Sequence, residues 1–154
     1  MNKFILGKIE FFKYDDNIFP KIFKKTKNKK EKPLYSNDKI TVILESPFAG
    51  DRKTNIKYAL RCMAHSLYLG EAPFVSHLLY TQCLEDSILE DRKIGMSAGW
   101  SWIKSSDKTV VYEDYGISDG MKKGIEIAKN MGHKIEYRKI GKNEIETGEL
   151  CKDN

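Results

Sequence analysis

A chain of 154 residues with 40% hydrophobic residues is long enough for one domain with a substantial core. No apolar run approaches the roughly 18 residues that cross a bilayer, and the start lacks an export signal, so we expect a cytoplasmic protein, or one of the host cytoplasm if the source is viral. The formal net charge of +5 arises at the start of the chain, because the first 40 residues carry 11 Lys against 5 acidic residues.

The first 39 residues are predicted to form a basic appendage or linker outside the core. Residues 4–14 (FILGKIEFFKY) are rich in Ile and Phe, which favours a strand or a hairpin. Residues 24–32 (KKTKNKKEK) contain none of the aromatic side chains that stack on bases. A solvated linker is therefore favoured over a phosphate-binding segment, and nucleic acid is not an expected partner.

The regular pattern begins at residue 40. Residues 40–44 (ITVIL) form a continuous aliphatic run, which is typical of a central parallel strand covered on both faces. Residues 55–69 place apolar side chains at helical spacing, with Gly70 positioned to end the helix. Asp51 and Thr54 are candidates to cap its start.

The next two elements are predicted to be a short strand and a helix. Residues 72–79 (APFVSHLL) predict the second strand. Residues 87–103 predict a helix, because Leu89, Met96 and Trp100 fall near one face. Asp86 or Ser87 is expected to cap that helix.

The remaining elements repeat the same order. Residues 109–112 predict a third strand, residues 118–131 a third helix and residues 134–140 a fourth strand. Residues 141–154 are polar and are expected to form a tail.

This alternation predicts an α/β fold of three layers, with a mainly parallel four-stranded sheet in the flavodoxin-like order 2-1-3-4. In that order the chain reverses direction between the first and third strands, and ligands of such folds bind beyond the carboxyl ends of those strands. The loops ESPFAGDRKTN and VVYEDYGISDGM are therefore predicted to face each other and to hold a ligand.

Three residues near this point are candidates for chemistry: Glu45, His77 and Asp114. A carboxylate here could act as a nucleophile or base on a sugar carbon, and His77 could act as an acid, a base or a hydrogen-bond donor. Structural roles compete with each assignment. Glu45 could accept backbone N–H bonds, Asp114 could cap a turn, and His77 could be a half-buried histidine with its bonds satisfied.

Other residues of the two loops favour a phosphate or sugar site. Ser118 is a candidate cap of the third helix, and Gly120 leaves room for a ligand to approach the backbone. Tyr80 lies close to His77 in the sequence. The cysteines and histidines lack the spacing of a metal site, so no metal or cofactor is predicted.

The segments ILESPFAGD, GEAPFVSHLLYTQ, VVYEDYGISDGM and GIEIA resemble small phage and bacterial domains of unknown function related to nucleoside 2-deoxyribosyltransferases. The resemblance covers residues 40–140 and implies a Rossmann-like nucleotide-binding core there. It implies a pocket for a small nucleoside or nucleotide, and a homo-oligomer, because related transferases complete their pockets across subunits. The implied pocket residues are Ser46, Pro47, Phe48, Asp51 and Asn55 of the first loop and Ser118, Gly120 and Met121 of the second.

The chain departs from the transferase-like pattern at one position. That pattern places a catalytic glutamate where this chain has Gly124, and Glu126 would point about 200° away around the helix. The resemblance implies nucleotide binding, but N-glycosidic cleavage or transfer would require Glu45 or Asp114 to supply the carboxylate. The alternatives are a non-catalytic nucleotide sensor or sponge of a phage or defence system, and a nucleic-acid or protein interaction module that uses the lysine-rich arm.

Overall fold

The computed structural model describes residues 38–141. The strand or hairpin predicted for residues 4–14, the lysine-rich arm and the polar tail after residue 141 lie outside the described residues. Within them, the predicted order of strands and helices is confirmed, with one strand shorter than expected.

The sheet has four strands, all of them parallel: β1 (Thr41–Glu45), β2 (Ala72–Phe74), β3 (Lys108–Tyr112) and β4 (Ile135–Arg138). Their order across the sheet is β2-β1-β3-β4, as the sequence predicted. The two central strands are β1 and β3, and the loops that follow them leave the same edge of the sheet.

Four α-helices connect and cover these strands. The first and the last begin at side-chain caps, because Asp51 accepts a bond from the Thr54 amide and Ser118 accepts one from the Met121 amide. None of the helices between residues 38 and 141 has both the length and the apolar character needed to cross a membrane. The helices are α1 (Arg52–Tyr68), α2 (Ser76–Leu79), α3 (Leu89–Ser101) and α4 (Asp119–Asn130).

The strands direct alternate side chains to opposite faces, which produces the three layers. Val42 and Leu44 of β1 pack with Tyr58 of α1 on one face. Ile43, between them, packs on the other face with Trp100 of α3 and residues of α4. Glu45 follows Ile43 by two residues, so its side chain points to the same face as α3 and α4.

The prediction of a strand over residues 72–79 is wrong after Phe74. The chain turns at Val75, whose side chain is buried, and residues 76–79 form the single turn of α2. A short apolar run such as APFVSHLL fits a strand or a buried helix equally well, so its composition did not distinguish them. His77 therefore lies on a helix rather than at the end of a strand.

The predicted cap of α3 is also wrong. Its N-cap residue is Ile88, which provides no side-chain bond. Asp86 forms an ion pair with Arg92 instead, with an Oδ2 to Nη1 distance of 2.8 Å, and the Ser87 hydroxyl donates to Glu85. Both candidate side chains thus form other bonds and do not cap the helix.

A buried ionic cluster holds β3 and β4 on the α1 face. Glu71 accepts bonds from Lys108 at 2.8 Å and from Arg138 at 2.7 Å, and the Ser66 hydroxyl donates to it at 2.7 Å. Burial alone would raise the pKa of Glu71, but the bonds from Arg138, Lys108 and Ser66 together lower it to about 2. Glu136 completes the cluster through bonds to both cations.

We expect Glu71→Ala to lower the free energy of unfolding at neutral pH by about 3 kcal/mol, because it leaves two buried cations with a single shared carboxylate. Lys122→Ala, at an exposed ion pair of α4, is the control and should change it by less than about 1 kcal/mol. Urea unfolding measures both.

The pH dependence supplies a second readout. The pKa of Glu71 lies below its ordinary value of 4.5. The contribution of the Glu71 carboxylate to stability is therefore present above pH 4.5 and is lost as the pH falls towards 2. The difference in the free energy of unfolding between the wild type and Glu71→Ala should therefore shrink as the pH falls from 4.5 towards 2. A cost below about 1 kcal/mol at neutral pH would show that the cluster does not hold the sheet.

Candidate functional site

A cleft with a cavity volume of about 80 Å³ lies beyond the carboxyl ends of β1 and β3. Three segments form its walls: the loop after β1, the first turn of α4, and α2 with α3. A second cavity adjoins it along α2 and α3, and His77 and Arg92 line both. The cleft is thus located at the switch point where the sequence predicted a ligand site.

The structure brings seven of the predicted site residues to the walls of this cleft and leaves five elsewhere. The seven are Glu45, Ser46, Phe48, His77, Ser118, Gly120 and Met121. The five that are not among the lining residues of this cleft are Pro47, Asp51, Asn55, Tyr80 and Asp114.

Glu45 and Gly124 occupy adjoining space at the base of the cleft. A Cβ atom built on Gly124 would lie 2.5 Å from Oε1 of Glu45 and 3.3 Å from Nε1 of Trp100. The first distance is shorter than any stable contact, so a side chain at position 124 would displace the carboxyl group. The carboxyl of Glu45 can therefore occupy this place only because α4 has a glycine there.

The carboxyl group of Glu45 has no protein partner in the described part of the chain. No hydrogen bond or ion pair involves it among residues 38–141, and no fully buried side-chain nitrogen or oxygen in that range lacks a partner. Its oxygens must therefore reach the cleft. Burial raises the pKa of Glu45 to about 8, so the carboxyl is mostly neutral at neutral pH and can donate a hydrogen bond.

His77 is held in the wall of the cleft by a contact with Ser46. The hydroxyl of Ser46 lies 2.9 Å from Nε2 of His77, and Ser46 is the residue that follows Glu45. The imidazole also contacts the ring of Phe48, with 5.6 Å between the ring centroids. Burial lowers the pKa of His77 to about 4, so the ring is neutral at neutral pH.

Asp114 lies outside the cleft and has structural contacts. Its carboxylate accepts a bond from the Tyr58 hydroxyl at 2.6 Å and from the backbone amides of Ile140 and Gly141 at 3.1 and 2.9 Å. It thus connects the end of β3 to the segment after β4. A catalytic role for Asp114 has no support from this position.

The other predicted residues outside the cleft shape the loops around it. Asp51 caps α1, and the side-chain amide of Asn55 donates to the carbonyl of Ala49 at 2.8 Å, which fixes the loop after β1. Tyr80 lines the adjoining cavity, where its hydroxyl accepts a bond from Nε1 of Trp102 at 3.0 Å.

The sequence predictions missed the wall provided by α3. Arg92, Met96 and Trp100 line the cleft, and they are four residues apart, which places them on one helix face. That spacing was visible in the sequence, but it is also the spacing of a face packed against a core. Arg92 reaches the start of α4, where its Nη2 would lie 3.7 Å from a Cβ atom on Gly120.

Among residues 38–141, no group of three or more His, Cys, Asp or Glu side chains is arranged to hold a metal ion. The groups that face the cleft include a neutral carboxyl, a neutral imidazole, the Arg92–Asp86 ion pair, serine hydroxyls and several aromatic or methionine side chains. Such a mixture suits an organic ligand with a flat apolar part and a few polar groups.

The fold is a parallel α/β domain with a cleft at its switch point. The chain belongs to the family described as Domain of unknown function (DUF7768), whose model matches residues 40–138. Among solved structures, its fold is similar to that of the 2-deoxyribosyltransferase from the psychrotolerant bacterium Bacillus psychrosaccharolyticus. The similarity has a TM-score of 0.51 at 19% identity, over 73% of this chain and 77% of that chain. A comparison with curated proteins gave no match.

The contact between Glu45 and Gly124 can be tested by a double-mutant cycle. Gly124→Ala should be less favourable in the wild-type protein than in the Glu45→Ala background, by about 0.5–3 kcal/mol, because the new methyl group forces the carboxyl to move. In the Glu45→Ala background the same change should be neutral or stabilising by up to about 1 kcal/mol, since alanine favours the helix. The free energy of unfolding is measured for the wild type, the two single variants and the double variant. If Gly124→Ala changes it equally in both backgrounds, the contact between Glu45 and position 124 is contradicted.

Proposed function

We propose that the cleft binds a nucleoside or nucleotide and that Glu45 acts at its N-glycosidic bond. The observation that carries this proposal is the carboxyl of Glu45, which is neutral, has no partner among residues 38–141, and reaches the switch-point cleft. A buried carboxyl without a partner destabilises the fold, so its presence in a cleft favours a role towards a ligand.

The composition of the cleft supports a nucleoside. Phe48, Met96 and Trp100 offer flat or deformable apolar surfaces of the kind that hold a base. Ser118 caps α4, and Arg92 reaches the start of α4 from α3, so hydroxyl and phosphate groups would find hydrogen-bond donors there. The similarity of the fold to a 2-deoxyribosyltransferase is consistent with this class of ligand.

Cleavage of an N-glycosidic bond leaves an electron pair on a nitrogen of the base. A neutral carboxyl close to that nitrogen can supply the proton that the leaving base needs. Glu45 has this protonation state at neutral pH because burial raises its pKa to about 8. In this proposal the carboxyl that the transferase-like pattern places on the helix comes instead from the end of β1.

A non-catalytic nucleotide sensor or sponge is the second candidate. Gly124 favours it, because the position that carries the catalytic glutamate in the transferase-like pattern has no side chain here. The two candidates share the ligand and the cleft and differ only in turnover. In both, residues 40–140 form the ligand-binding core, and residues 1–39 and 141–154 are flanking segments.

The test is calorimetric titration of the full chain with purine and pyrimidine nucleosides and their 5′-monophosphates, followed by chromatography for released base. Gly120→Trp should weaken binding at least about tenfold, or 1.4 kcal/mol, because the indole enters the cleft. Lys122→Trp places the same side chain on an exposed position of the same helix and should leave binding unchanged.

Binding with base release supports the enzyme, and binding without release supports the sensor or sponge. If no member of the panel binds, or if Gly120→Trp and Lys122→Trp have the same effect, the cleft is not a nucleoside site.

A further inference from the structure

We propose that the cleft catalyses hydrolysis of the N-glycosidic bond in a single displacement, with Glu45 as the acid for the base and His77 as the base for water. This inference rests on the proposed function and deepens it, because it assigns the second substrate and excludes a covalent glycosyl-enzyme.

The surroundings of Glu45 disfavour a nucleophilic role. A carboxylate nucleophile must be ionised, and it is usually kept so by a cation or by N–H donors. Among residues 38–141, no such group bonds to the Glu45 carboxyl, and the space that a side chain at Gly124 would fill is bordered by that carboxyl and by Nε1 of Trp100. The cation of the cleft, Arg92, is paired with Asp86 at 2.8 Å. The neutral form is therefore the stable one.

The geometry of His77 suits a base. When its Nε2–H donates to the Ser46 hydroxyl, Nδ1 carries the free lone pair of the neutral ring. Nδ1 has no hydrogen-bond partner within the described range, and no fully buried polar atom in that range is unsatisfied, so Nδ1 reaches open space. Both His77 and Glu45 line the same cleft, and His77 contacts the hydroxyl of Ser46, the residue that follows Glu45.

The reaction step balances with water as the second substrate. The bond between the anomeric carbon and the base nitrogen breaks, and its electron pair stays on the nitrogen, which takes the proton of Glu45. The water oxygen bonds to the anomeric carbon from the opposite face, and its proton passes to Nδ1 of His77. Proton exchange with solvent then returns Glu45 and His77 to their neutral forms.

The pH dependence of the reaction follows from these roles. Glu45 must be protonated, which holds below its pKa of about 8, and His77 must be neutral, which holds above its pKa of about 4. The rate should therefore be high between these values and fall on both sides. The other charged groups around the cleft are Asp86, Asp91 and Arg92 beside α2 and α3, and Arg52, which lies over the Phe48 ring.

The experiment uses the full chain and the nucleosides that bind in the titration above. Base and free sugar should appear in equal amounts, and a second free base in the mixture should not be converted to a nucleoside. With methanol as a competing nucleophile, NMR of the methyl glycoside should show inverted configuration at the anomeric carbon, because attack occurs opposite the leaving base.

Two variants separate the roles of the acid and the base. Glu45→Gln keeps the size of the side chain but cannot give up a proton, so kcat should fall about 100-fold or more. His77→Gln should lower kcat by a similar factor with little change in KM, and it should remove the acid limb of the pH profile. Lys122→Ala should keep wild-type kinetics, and circular dichroism should show the wild-type fold in every variant.

The possible failures are distinguishable. Transfer to the second base, retained configuration, or a glycosyl adduct on Glu45 detected by intact mass would overturn this inference and leave the proposed function standing. Wild-type kcat in His77→Gln would also overturn it. Binding without base release would overturn it and support the sensor or sponge, and absence of binding would overturn both proposals.

Discussion

The carboxyl of Glu45 occupies space that a side chain at Gly124 would need. A Cβ atom on Gly124 would lie 2.5 Å from the Glu45 oxygen, so a side chain at this position of α4 would force the carboxyl to move from its observed place. The observed position of the carboxyl depends on this glycine. The carboxyl approaches the cleft from the end of β1, lies beside the bare backbone of α4 at Gly124, and is kept neutral by burial.

Most of the fold could be predicted because each long element has a period of its own. The aliphatic run of β1 and the helical spacing of α1 gave their type and order, and the order of parallel strands followed from the handedness of crossovers. The exception is the segment after Phe74. Its apolar residues are too few to show a period, and Val75 is buried at the point where the chain turns into α2, which local sequence does not show.

Part of the candidate site could also be predicted from the sequence, because the order of the strands follows from it. Topology alone places the loops after β1 and β3 together, which located Glu45 and Ser118. It could not show that Asp114 would be engaged by Tyr58 and by the amides after β4, because those partners are distant in sequence. It also could not show that Gly124, which looks like the loss of a catalytic group, makes room for the carboxyl of another element.

The cleft holds a neutral carboxyl at neutral pH, and an NMR titration tests this protonation state most directly. The side-chain carboxyl carbon of Glu45, identified by its absence in Glu45→Gln, should titrate with a midpoint near 8, since burial raises its pKa to about that value. A midpoint near the ordinary value of 4.5 would show an ionised, solvated carboxylate and would contradict the account.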